Sequence, residues 1–236
     1  MQQGFLIRWY HIFTDAFFFI RYRMYRVLKK EAALVHGELL DFGCGNKPYE
    51  SLFTQTSSYV GVDIEISGHP YTKKADFFYD GHHLPFTNSK FDIVFSSEVF
   101  EHVFNLEEIV PELVRVIKPG GQLLITCPFV WPEHEQPYDY ARYTSFGIRH
   151  LLEKNGLEVI RQYKTGHNME VVMQQFIFYI YCLLPKKPRP LYFLLHQVFI
   201  LPFLVLTALL SFVLQSKLRR KDLYHSNIIL LKKKNS

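Results

Sequence analysis

Residues that could bind a nucleoside-type ligand are concentrated in the stretch 39–46. An apolar run ends there at Asp41, and two alternate glycines, Gly43 and Gly45, follow it. Glycine adopts positive φ without strain and lets a ligand approach the backbone where any Cβ would collide. An open parallel sheet binds its ligand at the carboxyl ends of the strands, next to the reversal of strand order. The stretch therefore predicts a turn that holds a nucleoside cofactor, with a helix-like segment after it.

Two acidic residues follow this turn at the ends of predicted strands. Asp63 closes the apolar segment 59–64 about twenty residues after the glycines, where a doubly wound fold places an acid that binds ribose hydroxyls. A carboxylate has two acceptor oxygens and suits a vicinal diol. Taken alone, Asp63 fits a helix-capping role equally well. Asp80 and Gly81 follow another short predicted strand, and the ordered set of acids and glycines favours a nucleoside site.

The class of nucleoside ligand is narrowed by residues near the turn. A dinucleotide fingerprint requires a third glycine three residues after the second, where the pyrophosphate meets a helix. This sequence has Pro48 there, and no phosphate-binding loop ending in Gly-Lys-Ser or Gly-Lys-Thr occurs in it. The pattern favours a cofactor that contains ribose and adenine but no phosphate.

The elements that must position these residues alternate between strand and helix from Gly37 onward, a pattern typical of a parallel sheet. The pattern predicts helices over residues 98–117 and 145–155, with Lys118–Gly121 ending the first. It also predicts seven strands, at 38–42, 59–64, just before Asp80, and at 91–96, 122–126, 157–162 and 228–231. The predicted fold is α/β: a doubly wound, mainly parallel, Rossmann-like seven-stranded sheet with a hydrophobic helical insert before the last strand.

In order along the chain, these motifs resemble those of class I S-adenosylmethionine-dependent methyltransferases of the type 11 kind. The resemblance covers about residues 37–165 and is carried by residues 39–46, 62–63, 80, 84–86, 91–102 and 119–121. It implies S-adenosylmethionine as the cofactor. It also implies that the glycine turn contacts the methionine part of the cofactor through Asp41, Gly43, Cys44 and Gly45. The end of the second strand would contact the ribose through Asp63 and Ile64, and the next loop would contact the adenine through Asp80 and Gly81. The fourth strand would contact the sulfonium region through Ser96 and Ser97. One departure is Lys47, where many members have a third alternate glycine.

Such a cofactor determines what the protein must supply for catalysis. The sulfonium methyl group is already activated, so displacement mainly needs alignment of the nucleophile, and a base is needed only for an unactivated hydroxyl. The polar and aromatic loop 128–143 contains His134, our candidate base, although an ordinary surface histidine fits the sequence as well. Asp139 and Arg142 are expected to form an ion pair that fixes this loop. His102 is interpreted as a packing or capping residue.

Cysteine and histidine usage limits the other chemistries. No histidine and cysteine cluster has the spacing of a zinc site, so we predict no metal. The three cysteines, Cys44, Cys127 and Cys182, are an odd number without framework spacing, which favours a reducing compartment. Each is interpreted as a small buried hydrophobic residue.

Composition points to an anionic partner. The 236 residues carry a formal net charge of +5 and are 48% hydrophobic and 17% aromatic, more aromatic than one core needs. The basic residues cluster beside apolar runs instead of forming one face with stacking aromatics, which argues against a nucleic-acid partner. A membrane surface fits better.

Two segments carry this surplus of apolar residues. Residues 1–30 are predicted to form a cationic aromatic helix, which either lies at a membrane interface or covers the core as a lid. Residues 191–214 are long enough to span a bilayer. A two-helix crossing would, however, place the basic residues 186–189 on the far side, against the positive-inside tendency. Pro202 would also bend the run, so an in-plane or shallowly re-entrant hairpin is predicted.

The resulting prediction is a methyltransferase domain over residues 31–166 and 221–236, with a membrane-associating insert at 167–220. Its acceptor would be amphiphilic or made at a membrane, such as a lipid, a quinone precursor or a lipid-linked saccharide. The expected location is the cytoplasmic face of a membrane, as a peripheral or monotopic protein. Two alternatives remain: a soluble small-molecule methyltransferase whose insert is a lid or dimer interface, and a non-catalytic scaffold with the same fold.

Overall fold

A computed structural model of the chain describes residues 7–64, 74–213 and 221–234. The chain divides into two compact units. The helical unit contains the residues up to Arg26 together with Lys164–His225, and the sheet unit contains Val27–Tyr163 and the residues from Ser226 onward.

The sheet unit is built on one seven-stranded sheet in the order β3-β2-β1-β4-β5-β7-β6. Strand β1 pairs in parallel with β2 and β4, β2 with β3, and β4 with β5, whereas β7 runs antiparallel to β5. This confirms the predicted fold class. The strands are β1 (Gly37–Phe42), β2 (Thr56–Ile64), β3 (Phe77–Tyr79), β4 (Phe91–Ser97), β5 (Ile117–Pro128), β6 (Leu157–Lys164) and β7 (Ser226–Lys233).

The helices beside the sheet show why the sequence folds locally as it does. Their bounds are α1 (Phe18–Ala32), α2 (Leu106–Val116) and α3 (Ser145–Glu153). In α2 the residues Leu106, Ile109, Val110 and Leu113 are buried, and their spacing is that of one face of a helix. The N-terminus of α3 is capped by Thr144, whose Oγ1 accepts a 3.0 Å hydrogen bond from the Gly147 amide. The apolar faces of α2 and α3 pack with the central strands into one core.

Two predicted helical segments differ from the structure. The segment after the glycine turn is only a 3-10 turn, Glu50–Leu52, and Lys47 just before it has a left-handed φ of 53°, outside helical geometry. The helix predicted over 98–117 is a 3-10 turn, Phe100–His102, followed by α2. Glu98 has a φ of 53°, and these breaks in helical geometry are not visible in apolar periodicity.

The helical unit has its own small core. It contains a 3-10 turn (Trp9–Phe13) and α4 (Asn168–Leu183), α5 (Arg189–Phe199) and α6 (Leu201–Val213). Phe18, Phe19, Ile177, Ile200 and Leu204 are among its buried apolar residues. The Arg23 guanidinium donates to both oxygens of buried Glu170, at 3.2 and 3.0 Å.

The apolar run of the insert is interrupted near its middle. Helix α5 ends at Phe199 and α6 begins at Leu201, one residue before Pro202. The described residues contain one stretch that is long and apolar enough to cross a membrane. This stretch is Arg189–Leu210, which has 22 residues and a mean hydropathy of 2.3.

Candidate active site

The glycine turn after β1 adopts the left-handed backbone that its sequence predicts. Gly43 and Gly45 have φ values of 71° and 49°, and the amides of Gly43 and Cys44 donate to the carbonyl of Val62 at 2.9 and 3.2 Å. A Cβ added to Gly43 would lie 2.5 Å from the side chain of Val99, whereas one added to Gly45 would meet no described atom within 4 Å. Gly43 is therefore required for packing, and Gly45 faces a space that no described residue fills.

Asp63, at the end of β2, is connected to this turn. Its Oδ2 accepts a 2.8 Å hydrogen bond from the Gly45 amide, and its Oδ1 accepts one of 2.8 Å from the Ile64 amide. The side chain is buried. The structure thus brings together Gly45, Asp63 and Ile64, three of the residues predicted to bind the cofactor.

Asp41 has a partner that the sequence did not indicate. Its Oδ2 accepts a 2.6 Å hydrogen bond from the hydroxyl of Tyr59, on the neighbouring strand β2. Burial raises the pKa of Asp41 to about 7, although the Tyr59 hydrogen bond opposes this shift. Strand pairing is what places Tyr59 there, because the two residues are 18 positions apart in the chain.

Lys47, the departure from the family's third glycine, is accommodated in the turn. It takes the left-handed φ that a glycine would adopt, and its Nζ lies 2.5 Å from Asp76 Oδ2. Asp76 also accepts a 2.7 Å hydrogen bond from the Gly61 amide. The pair closes one side of the turn, and Asp76 is a further residue that sequence analysis missed.

The cysteines are not all buried. Cys44 and Cys127 are buried, as predicted, and burial raises the pKa of the Cys44 thiol to about 12. Cys182 is exposed, so the prediction of a buried residue was wrong for it. It lies near the end of α4, whose apolar composition does not distinguish an inner from an outer face.

Asp80 and Gly81 form a turn directly after β3. The Asp80 Oδ1 accepts hydrogen bonds from the amides of His82 and His83, at 2.8 and 2.7 Å, and these bonds lower its pKa. Gly81 has a φ of 89°. The carboxylate is exposed and engaged in its own turn, and the adenine-side role of both residues remains a prediction.

Ser96 and Ser97 end β4 beside Thr126 of β5. Ser97 Oγ lies 2.9 Å from Thr126 Oγ1, which also accepts a 3.0 Å hydrogen bond from the Glu98 amide. Ser96 Oγ is buried without a hydrogen-bond partner in the described part of the chain. The contact between Val99 and the Gly43 position places this strand end next to the glycine turn.

The loop after β5 is held by the predicted ion pair. Arg142 donates to both carboxylate oxygens of Asp139, at 2.5 and 2.7 Å, and to the carbonyls of Trp131 and Pro132. The guanidinium keeps the pKa of Asp139 well below its usual range. His134 belongs to the same network, because its Nδ1 lies 3.1 Å from Asp139 Oδ2.

His134 also meets two residues from the segment after β4. Its ring packs edge-on against His102 with centroids 4.8 Å apart, and His102 Nε2 lies 3.8 Å from Glu101 Oε1. The interpretation of His102 as a packing or capping residue was incomplete, because the ring faces His134 and a carboxylate. Neither Glu101 nor its meeting with His134 was predicted, since 33 residues separate them and only the fold brings them together.

Comparison with known proteins places this site in a family. The model of the methyltransferase domain family matches residues 40–125. Phthiotriol/phenolphthiotriol dimycocerosates methyltransferase 1 of Mycobacterium ulcerans is 27% identical over 164 residues, which cover 64% of this chain and 60% of that protein. The chain thus matches less than two thirds of the length of this curated relative.

Solved structures show the same fold. The cyclase SpnF superposes with a TM-score of 0.58 at 16% identity, over 92% of this chain and 82% of SpnF. Phosphoethanolamine N-methyltransferase 2 of Haemonchus contortus, solved in complex with S-adenosyl-L-methionine, gives 0.56 at 17% identity, over 94% of this chain and 55% of that one.

The strand order, the glycine turn and the acid after β2 define the class I methyltransferase fold. Together with the family match over residues 40–125, they confirm the resemblance to the class I S-adenosylmethionine-dependent methyltransferases. The same match supports the enzyme class and the cofactor that this resemblance implies.

Proposed function

We propose that this protein transfers the methyl group of S-adenosylmethionine to an amphiphilic acceptor, or one made at a membrane, while attached to a membrane surface. The observation that carries the cofactor assignment is the link from Asp63 to the Gly45 amide, beside a turn position that faces open space. A carboxylate held by two backbone amides at a strand end is oriented to accept hydrogen bonds from a ribose diol.

Exposed apolar side chains of the helical unit support membrane attachment. Val172, Phe176, Tyr179 and Leu183 of α4 are between 45% and 66% exposed, and their spacing is that of one helix face. Further exposed apolar residues lie on the next two helices: Leu191, Phe193, Leu194, Val198, Val205, Leu206 and Leu209. Large contiguous apolar surfaces on a protein mark membrane or protein interaction sites. Basic residues beside these runs, including Lys186 and Arg189, suit anionic headgroups.

The nature of the acceptor is supported by a relative. The Mycobacterium ulcerans protein is named as a methyltransferase of phthiotriol and phenolphthiotriol dimycocerosates, so the relatives include a lipid methyltransferase. At 27% identity the relative indicates a class of acceptor, and the exposed apolar surface points to the same class. A lipid, a quinone precursor or a lipid-linked saccharide each fits such an enzyme.

His134 is the proposed base for a hydroxyl acceptor. Its Nδ1 faces Asp139, and a carboxylate at one ring nitrogen leaves the other, Nε2, free to take a proton. Asp139 is held in place by Arg142, so the histidine has a fixed orientation. An acceptor that ionises by itself would need no such base.

Two other functions use the same fold. A soluble methyltransferase could bury its apolar helices in a dimer or under a lid, and a scaffold could keep the fold without catalysis. The superposition with SpnF, which is named as a cyclase, illustrates that this fold is not confined to methyl transfer.

Binding of S-adenosylmethionine to the full-length chain, measured by calorimetry, tests the cofactor assignment. We expect saturable binding with the cofactor alone. Absence of measurable binding to folded protein would support the scaffold and overturn the proposal.

Flotation with phosphatidylglycerol-containing liposomes tests membrane attachment. The variant carries three changes on the exposed face of α4, Val172→Gln, Tyr179→Gln and Leu183→Gln, and its control is Phe146→Gln, a still more exposed aromatic residue of α3. We expect the wild type and the control to float with lipid and the triple variant to remain at the bottom. If the wild type, the control and the triple variant were all recovered equally with lipid, or if none floated, the proposal of membrane attachment would be overturned. Tracing a radiolabelled methyl group into extracted lipids or into soluble products then identifies the acceptor class.

A further inference from the structure

One carboxylate and two imidazoles meet at the carboxyl edge of the sheet. A side-chain oxygen of Glu101 and one ring nitrogen from each of His102 and His134 all lie within 4.8 Å of one another. Atoms bound to one tetrahedral zinc ion at about 2.0 Å are separated by about 3.3 Å. Small rotations of the two partly exposed histidine rings would close the difference.

Glu101 is unusual for its burial. The residue is 0% exposed, and neither carboxylate oxygen has a hydrogen-bond partner among the described residues. A buried carboxylate without such partners carries a large desolvation cost unless a cation or a proton compensates it. The His102 Nε2 lies 3.8 Å from its Oε1, beyond hydrogen-bond distance. The backbone of Glu101 is fixed, because its carbonyl accepts hydrogen bonds from the amides of Tyr140 and Ala141.

Both histidines are oriented as metal-binding histidines commonly are. The Nδ1 of His102 lies 2.7 Å from the carbonyl oxygen of Tyr138, to which only a protonated nitrogen can donate. The Nδ1 of His134 lies 3.1 Å from Asp139 Oδ2, closer than the Arg142 nitrogen at 3.5 Å, and we assign it as a donor too. Each assignment leaves the lone pair on Nε2. Metal-bound histidines typically donate their other ring hydrogen to a carbonyl or a carboxylate in this way.

From this geometry we infer that Glu101, His102 and His134 bind a divalent transition-metal ion of the zinc class. Two imidazoles and one carboxylate are a ligand set for such ions, whereas magnesium and calcium prefer oxygen ligands throughout. Glu135, whose Oε2 lies 3.9 Å from His102 Nε2, is the nearest candidate for a further ligand. This inference revises the prediction of no metal, which considered only spacing along the chain.

Three protein ligands leave a position open for an oxygen atom. In catalytic zinc sites that position holds water or substrate, and the ion polarises the oxygen that it binds. An acceptor hydroxyl bound there would be polarised by the ion. This extension rests on the proposed function, and metal binding itself does not. With Nε2 engaged, His134 would act as a ligand and not as a base.

Equilibrium dialysis of the untagged, EDTA-treated full-length chain against Zn²⁺, followed by elemental analysis, tests the inference. We expect about one Zn²⁺ per chain, and a loss of affinity of at least about 10-fold in Glu101→Gln, His102→Ala and His134→Ala. The control is His150→Ala, an exposed histidine of α3 outside the group, which should bind like the wild type. Asp139→Asn, which removes the charge of the orienting partner of His134 and of its ion pair with Arg142, should weaken binding by about 10-fold.

A second measurement covers variants that fold poorly. Zn²⁺ should raise the thermal unfolding temperature of the wild type and of His150→Ala but not that of His134→Ala, which alters a loop. Co²⁺ in place of Zn²⁺ should give the visible absorption bands of a bound ion in the wild type and in His150→Ala, but not in His134→Ala or Glu101→Gln. A wild type that holds no Zn²⁺, or equal binding by Glu101→Gln and the wild type, would overturn the inference. Binding of S-adenosylmethionine to the same samples is scored separately, so failure of the metal site and failure of the proposed function are distinguishable.

Discussion

The carboxylate of Asp63 connects the end of β2 to the glycine turn after β1, through a 2.8 Å hydrogen bond from the Gly45 amide. One side chain thereby orders the backbone on both sides of the proposed cofactor site. The bond also explains why an acid is placed there, since a carboxylate can accept from Gly45 and Ile64 with one oxygen each and still offer lone pairs to a ligand.

Replacement of Asp63 should weaken cofactor binding, less with asparagine than with alanine. Asp63→Asn keeps one acceptor oxygen and loses the charge, so we expect about 10-fold weaker binding of S-adenosylmethionine, and about 100-fold in Asp63→Ala. Calorimetric titration of folded variants measures both. Glu107→Gln, an exposed acid at the start of α2, is the control and should bind like the wild type. Unchanged affinity in Asp63→Ala would refute the assigned role of this carboxylate.

The two glycines of the turn should respond differently to alanine. In Gly43→Ala the new Cβ would lie 2.5 Å from Val99, so we expect a loss of about 2–4 kcal/mol in the free energy of unfolding. In Gly45→Ala nothing in the described chain obstructs the Cβ, and only the left-handed backbone costs about 1–2 kcal/mol. Urea unfolding compares the two. Gly45→Ala should nevertheless weaken S-adenosylmethionine binding, because its Cβ enters the space assigned to the cofactor; equal affinity to the wild type would contradict that assignment.

The raised pKa of Asp41, about 7, makes stability depend on pH in a defined direction. The folded state holds this proton more tightly than the unfolded state, whose carboxyl titrates near about 4. The stabilisation from protonated Asp41 is therefore fully present below about pH 4 and is lost as the pH rises through about 7. Asp41→Asn should remove this dependence and become the more stable protein at pH 8, by up to about 4 kcal/mol. The measurement is urea unfolding of the cofactor-free wild type and variant across this pH range. If the free energy of unfolding of both proteins changed with pH in the same way, the dependence would not come from Asp41.

The ion pair of Asp139 and Arg142 should make stability depend on pH in the opposite direction, with more stability at higher pH. The lowered pKa of Asp139 means that the pair stabilises the protein above the ordinary carboxyl range and is lost as pH falls below about 4. Arg142→Gln leaves a nearly buried carboxylate without its guanidinium, so we expect a loss of about 1–3 kcal/mol at neutral pH. Thermal unfolding at pH 7 and pH 3 tests this: the difference between variant and wild type should shrink at the lower pH. Arg149→Gln, an exposed arginine of α3 whose partner Glu153 is partly exposed, is the control and should change stability by less than about 0.5 kcal/mol.

Much of the sheet could be predicted from the sequence because its strands are short apolar runs that end in acids or glycines. β1, β2, β4, β6 and β7 were predicted within a few residues of their observed bounds. The segments between strands were predicted less well. Left-handed residues such as Lys47 and Glu98 interrupt helices without changing the apolar pattern, so periodicity alone could not reveal the 3-10 turns.

Order along the chain determined the family resemblance and the residues of the glycine turn. The turn, Asp63 and the strand ends are consecutive motifs, and each is recognisable from residues within about ten positions of it. Contacts between distant segments were decided only by the tertiary structure. Tyr59 reaches Asp41 because their strands pair, and Glu101, His102 and His134 meet because the ends of parallel strands lie at one edge of the sheet. Side-chain chemistry of that kind depends on spatial proximity, which a linear spacing does not encode.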